Sequence, residues 1–183
     1  MIIIGITGTL GAGKGTVVEY LVKKKKFKHY SVSGFLKEEL VKKGQKNDRI
    51  NLQDIGNELR KKFGPDYITK KLYEKAKKEN VNAIIESIRN PKEAEFIKSH
   101  DGFLFAVTAD QKTRYQRIKS RAGEKDNVTY KEFVKQEERE LQNSDPNAQN
   151  LPKCILMADY KFDNNSTIKC LYEKVEKIIS KIG

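Results

Sequence analysis

Short apolar runs alternate along this chain with stretches whose apolar residues recur every third or fourth position. The first run, "IIIGIT" (2–7), is β-branched and unbroken and predicts a buried strand. "GKGTVVEYLVKK" (13–24) then switches to helical spacing through Val17, Val18, Leu21 and Val22. "KHYSV" (28–32) predicts a second strand, and Ser33 is the expected cap of a helix from about Gly34 to Lys43 carrying Phe35, Leu36, Leu40 and Val41. Helical spacing resumes in "RINLQDIGNELRKKF" (49–63), stops at Gly64-Pro65, and returns in "DYITKKLYEKAKK" (66–78). "VNAIIESI" (81–88) and "GFLFAVTA" (102–109) predict two more strands, one followed by a helix opening on Pro91 and the other by a helix through "DQKTRYQRIKSR" (110–121). "ADYKFDN" (158–164) predicts a last strand and "STIKCLYEKVEKIISKI" (166–182) an amphipathic closing helix.

Strands that alternate with helices over the whole length imply parallel pairing through right-handed crossovers. The expected fold is α/β: a three-layer sandwich in which a parallel sheet of about five strands carries helices on both faces, in a single domain over 1–183. Ligands of such sheets sit beyond the carboxyl ends of the strands. Thr7, Ser33, Glu86 and Thr108 lie at or just past those expected ends and mark a working edge. The stretch 122–150 is punctuated by Gly, Asp and Asn at both ends around a charged helix, "TYKEFVKQEEREL", and reads as a flap inserted into the domain.

Between the first strand and first helix stands "GITGTLGAGKGT" (5–16), in which Gly8, Gly13 and Lys14 fit the frame GxxxxGK[ST]. The backbone N–H groups of such a loop surround phosphate oxygens, the helix start adds partial positive charge, and the lysine ammonium reaches the outer phosphates. Gly15 departs from the frame: it stands where a hydroxyl residue commonly meets Mg²⁺, and Thr16 follows one place later.

Charge and composition narrow the picture. No run approaches the roughly 18 apolar residues of a membrane span, and "MIII" has neither the length nor the basic flank of a signal peptide, so a cytoplasmic location is expected. Cys154 and Cys170 have no metal-ligand spacing and read as ordinary thiols. The net charge of +12 fits either a polyanion partner or simply a lysine-rich surface with runs such as "KKKKFK" (23–28). Only seven of the 37 basic residues are Arg, and a chain that so favours Lys keeps Arg where a planar fork with several donors is useful, as on phosphate.

The "GxGKGT" form of the loop, a strand-end acid followed by Arg in "IIESIRNPKE", and the RxxxR pair Arg117/Arg121 together resemble adenylate kinases and related nucleoside monophosphate kinases. "SIRNP" is similar to a group of archaeal-type kinases related to adenylate, cytidylate and dephospho-coenzyme A kinases. The resemblance implies a phosphate-loop kinase fold with a helical lid at 122–150, acceptor-binding helices over 33–79, and Mg-ATP as phosphoryl donor. It implies that Gly8, Gly11, Ala12, Gly13, Lys14, Gly15, Thr16 and Arg117 bind ATP, and that Thr16 and Glu86 attend the metal. Ser33, Lys37, Arg49, Arg60 and Arg89 would hold the acceptor, and Lys14, Arg89, Arg117 and Arg121 would neutralise the transferring group. Phe35 and Lys37 replace an Asp and an Arg of the family's acceptor segment, and Arg89 stands one residue closer to the acid than in adenylate kinases. Glu86 and Arg89 also read as a surface acid and a helix-capping Arg; Arg114 reads as solvating its helix, and Arg139 either enters the site or lies on an exposed, salt-bridged face.

The implied activity is transfer of the γ-phosphoryl group of ATP to a nucleoside or deoxynucleoside monophosphate. Dephospho-coenzyme A kinase is the alternative within the same chemistry. A nucleotide-switched RNA- or ribosome-associated ATPase is the alternative from another class, motivated by the charge.

Overall fold

The computed structural model describes residues 1–120, 129–141 and 149–183, without the side chains of Arg49, Gln136, Arg139, Glu140 and Leu141. Five strands form one sheet: β1 (Ile3–Gly8), β2 (Lys28–Ser31), β3 (Ala83–Glu86), β4 (Phe103–Thr108) and β5 (Tyr160–Asp163), in the order β2-β3-β1-β4-β5. Every pairing is parallel; Ile3 lies beside Ala83, Ile4 beside Phe103, and Phe105 beside Tyr160. The expected parallel five-strand sandwich is therefore the observed one.

Side-chain alternation along the strands divides the interior in two. Ile4, Ile6, Ile84, Phe105 and Val107 face helices α1 (Lys14–Lys25) and α9 (Ile168–Ile182), meeting Val17, Leu21, Leu171 and Val175. Ile3, Tyr30, Ala83, Ile85 and Leu104 face the other way, onto α2 (Val32–Lys42), α3 (Arg49–Phe63), α4 (Tyr67–Glu79) and α5 (Pro91–Ser99). Because β1 is covered on both faces, its sequence is a continuous apolar run rather than an alternating one. Among the described residues, α6 (Gln111–Ser120) and α7 (Tyr130–Leu141) come next after β4.

Two local expectations change. The helix after β2 begins at Val32 and is capped by Ser31, not Ser33. Ser31 is still extended, and its Oγ accepts from Gly34 N at 3.1 Å, so the last strand residue is also the cap. A short helix not expected from the sequence, α8 (Leu151–Met157), is capped by Asn150 and opens with Pro152. Its Leu151 and Cys154 are buried. Both cysteines are free thiols, and burial beside Glu93 pushes the Cys154 thiol up to about 12. Among the described residues no helix is long and apolar enough to cross a membrane.

Candidate active site

The sheet's carboxyl edge gathers the ends of all five strands, and the loop from Gly8 to Gly13 rises from its centre. Two glycines are dictated by geometry. Gly8 has φ +137°, and a Cβ there would stand 2.1 Å from the Val107 carbonyl oxygen of the neighbouring strand. Gly13 caps α1 at φ +102° and ψ 21°, a left-handed turn that aims the first amides of the helix at the loop's interior. By contrast, a Cβ at Gly15 would meet nothing within 4 Å, so that glycine is not imposed by packing. Lys14 curls over the loop, its Nζ donating to the Gly8 and Thr9 carbonyls at 2.8 and 3.0 Å.

The segment after β3 is tied to β1 beside this loop. Ser87 N and Ile88 N donate to Ile6 O at 3.0 and 3.1 Å, and Thr7 Oγ1 donates to Ile88 O at 2.8 Å. The turn forces Ser87, a buried non-glycine residue, to φ +74° between Glu86 and Arg89. Strain of this kind costs about 1–3 kcal/mol and marks places where surrounding structure over-determines the backbone. Accordingly, Ser87→Gly is expected to leave urea stability unchanged or slightly raised, whereas Ser87→Val should lose about 1–3 kcal/mol and displace Arg89. Equilibrium melts of the two variants check this, and equal stability of both would show that the backbone relaxes freely there.

The Glu86 carboxylate is partly buried and lies 3.2 Å from His29 Nε2. Desolvation by burial raises its pKa, but the hydrogen bond with His29 and the charges of Lys14, His29 and Arg89 outweigh it, holding Glu86 below the usual carboxylate range. It is therefore ionised at neutral pH and brought together electrostatically with Lys14 and Arg89. Carboxylate and hydroxyl oxygens such as those of Glu86 and Thr16 are hard donors of the kind Mg²⁺ accepts. Thr9 Oγ1 within the loop and Arg117 NH1 on α6 are buried polar atoms without a partner.

The other expected site residues fall into three groups. Arg89 is half-buried at the working edge, with NH1 3.3 Å from Gln149 Oε1. Arg117 donates from NH2 to Asn164 O at 2.8 Å. Ser33 and Lys37 lie on α2, Lys37 exposed. Arg60 differs from expectation: it is 1% exposed, and its Nε and NH2 donate to Glu93 Oε1 at 3.1 and 2.9 Å. That guanidinium is committed to the α3–α5 contact instead of standing open at the edge. The side chains of Arg49 and Arg139 and the whole of Arg121 lie outside the described residues.

Arg114 also departs from its reading as a solvating residue. It is 6% exposed, donates from Nε to Ala109 O at 2.8 Å, and pairs through both terminal nitrogens with the buried Glu137 of α7. Its NH1 also lies 3.3 Å from Leu10 O, so one side chain joins α6, α7 and the phosphate loop. The role was hidden in the sequence because its partner comes 23 residues later.

A family model described as an AAA domain matches residues 4–142, spanning the loop, the Glu86–Arg89 segment and the helices after β4. A UPF0200 protein of Sulfurisphaera tokodaii is 32% identical over 98% of this chain and 97% of its own length. The chain belongs to this AAA domain family and to the UPF0200 proteins. Another UPF0200 protein, from Methanothermobacter thermautotrophicus, is 30% identical over all of this chain and 92% of its own. Among solved structures, the AAA domain superposes on TT1252 from Thermus thermophilus with a TM-score of 0.64 at 20% identity, covering 100% and 98% of the two chains. Shikimate kinase from Aquifex aeolicus gives 0.59 at 16% identity over 98% and 97%. Dephospho-CoA kinase from Campylobacter jejuni gives 0.51 at 16% identity over 99% and 97%. The fold of this AAA domain is that of phosphate-loop kinases.

Proposed function

We propose that this chain is an ATP-dependent phosphotransferase that moves the γ-phosphoryl group onto a nucleoside or deoxynucleoside monophosphate. The observation that carries the reading is the Glu86–Ser87–Ile88–Arg89 segment. A strained turn tied to β1 sets an ionised carboxylate and a guanidinium beside the lysine of a phosphate loop. A carboxylate beside the loop serves the metal in ATPases and transferases alike; the guanidinium three residues on is what an acceptor phosphate would call for.

On this reading Gly8, Gly11, Ala12, Gly13, Lys14, Gly15 and Thr16 surround the donor phosphates. Thr16 and Glu86 would hold Mg²⁺, which when bound would offset the negative charge of the phosphates. Arg89 clamps the acceptor anion, helped by Ser33, Lys37 and Arg49 from the helices of 33–79, while Arg60 supports the clamp from behind. Arg117 and Arg121 meet the charge that spreads over the transferring group, and the segment 122–150 acts as a lid that excludes water.

The kinship of fold with dephospho-CoA kinase and shikimate kinase favours keeping a hydroxyl acceptor as the second reading. The RNA-associated ATPase is disfavoured by position: the lysines at 23–26 end α1, at the sheet edge opposite the loop, and Lys23 and Lys25 pair with Glu19 and Glu176. The deciding experiment follows ADP release from Mg-ATP with one addition at a time: AMP, CMP, UMP, GMP, their deoxy forms, dephospho-CoA, shikimate and RNA. Strong stimulation by a nucleoside monophosphate is expected. Stimulation by dephospho-CoA or shikimate alone overturns the choice of acceptor, and stimulation by RNA alone overturns the phosphotransferase.

A further inference from the structure

We propose that Asn164 is a positioning residue that fixes the shape of the phosphate loop and the direction of Arg117 together. Asn164 follows the last residue of β5 and is 6% exposed. Its Nδ2 donates to the Ala12 carbonyl at 2.8 Å across 152 residues of sequence. Its own N–H donates to Thr108 O at 2.8 Å, and its carbonyl receives Arg117 NH2 at 2.8 Å. One buried residue thus joins the ends of β4 and β5, the loop and α6.

The chemistry explains why an amide stands there. A phosphate loop works by turning N–H groups toward anionic oxygens, so any carbonyl that turns inward repels the ligand. The Ala12 carbonyl sits within the loop, and a donor that captures it holds it away from the phosphates. Asn164 supplies that donor without adding charge. It also packs so closely that a Cβ on Gly13 would lie 2.2 Å from Nδ2, which makes glycine at 13 and asparagine at 164 a matched pair. Through its carbonyl the same residue restrains NH2 of Arg117 while NH1 of that guanidinium, buried and without a partner, is left to receive a ligand.

This assignment rests on the loop's binding phosphates, and the test separates the two. Dissociation constants of MgATP and of Mg-tripolyphosphate are measured for the wild type, Asn164→Ala and Asn164→Asp, with unliganded melting recorded beside them. Asn164→Ala is expected to weaken both ligands by a similar factor, about tenfold. Asn164→Asp should weaken both further, because an isosteric carboxylate oxygen would face the Ala12 carbonyl. Relative to the wild type measured at each pH, its affinity should recover as the pH falls from 7.5 to 5.5, since protonation of the carboxyl returns a donor to the Ala12 carbonyl. A merely structural role would lower the melting temperature without that pH-dependent recovery. Unchanged affinities in both variants, or loss of ATP binding with tripolyphosphate binding intact, overturn the action through the loop. A wild-type chain that binds neither ligand overturns the phosphate-loop reading itself.

Discussion

Lys14→Ala is expected to reduce acceptor-stimulated phosphoryl transfer by about a thousandfold or more while leaving the chain folded. The Lys14 ammonium donates to two carbonyls of its own loop at 2.8 and 3.0 Å, and its charge is felt at Glu86. A phosphate in the loop offers a stronger, charge-assisted partner than either carbonyl, so the side chain need only rotate to reach it. Alanine removes that charge where the proposed transition state gathers negative charge, and its methyl group supplies none in its place. The cost to folding is small, because the lost bonds are made by a half-exposed side chain. Single-turnover ADP release, with circular dichroism of the same samples, checks this. A variant within tenfold of the wild-type rate would place transfer elsewhere.

Glu93→Ala is expected to lose about 3–5 kcal/mol of stability. Glu93 is fully buried, and its two oxygens accept four hydrogen bonds: Arg60 Nε and NH2 on Oε1, and Arg89 N and Asn90 N at 3.0 Å each on Oε2. Alanine leaves an uncompensated guanidinium in the interior and two uncapped amides at the start of α5. Against a typical total of about 5–15 kcal/mol, that corresponds to a fall in melting temperature of roughly 10 °C. The pair Arg60→Met with Glu93→Leu should recover much of this loss, since well-packed apolar residues often replace a buried ion pair without penalty. Activity should not return with it, because the turn carrying Arg89 still lacks its carboxylate. Calorimetry and the transfer assay on one set of variants separate the two effects, and a double variant that regains both would reduce Glu93 to a stability element.

The loop, the strand that feeds it and the parallel sheet were legible in the sequence because their signals are local: four β-branched or apolar residues, a fixed glycine spacing, and a change of period. The acid and Arg at the end of β3 were legible for the same reason. What failed depended on contacts distant in sequence or on choices between near neighbours. Ser31 and Ser33 are both competent caps, and only the place where β2 ends decides between them. Helix α8 is seven residues long, too short for periodicity to separate it from a loop, although Asn150 and Pro152 signal its start. "NPKE" holds the capping box of α5 in plain view, but nothing near it announces Arg60 as the second partner of Glu93. Arg114 and Asn164 were beyond local reading altogether, since each works through residues of another element.

The central place of β1 also governs how the molecule can be made. Its neighbours are Ala83 to Glu86 on one side and Phe103 to Val107 on the other, so on a ribosome the most apolar segment emerges roughly eighty residues before any strand can pair with it. The nascent chain must carry "IIIGIT" unpaired while α1 to α4 form around it. Folding is then limited by the arrival of β3 and β4 more than by the helices, and the half-made chain is the species most in need of a chaperone.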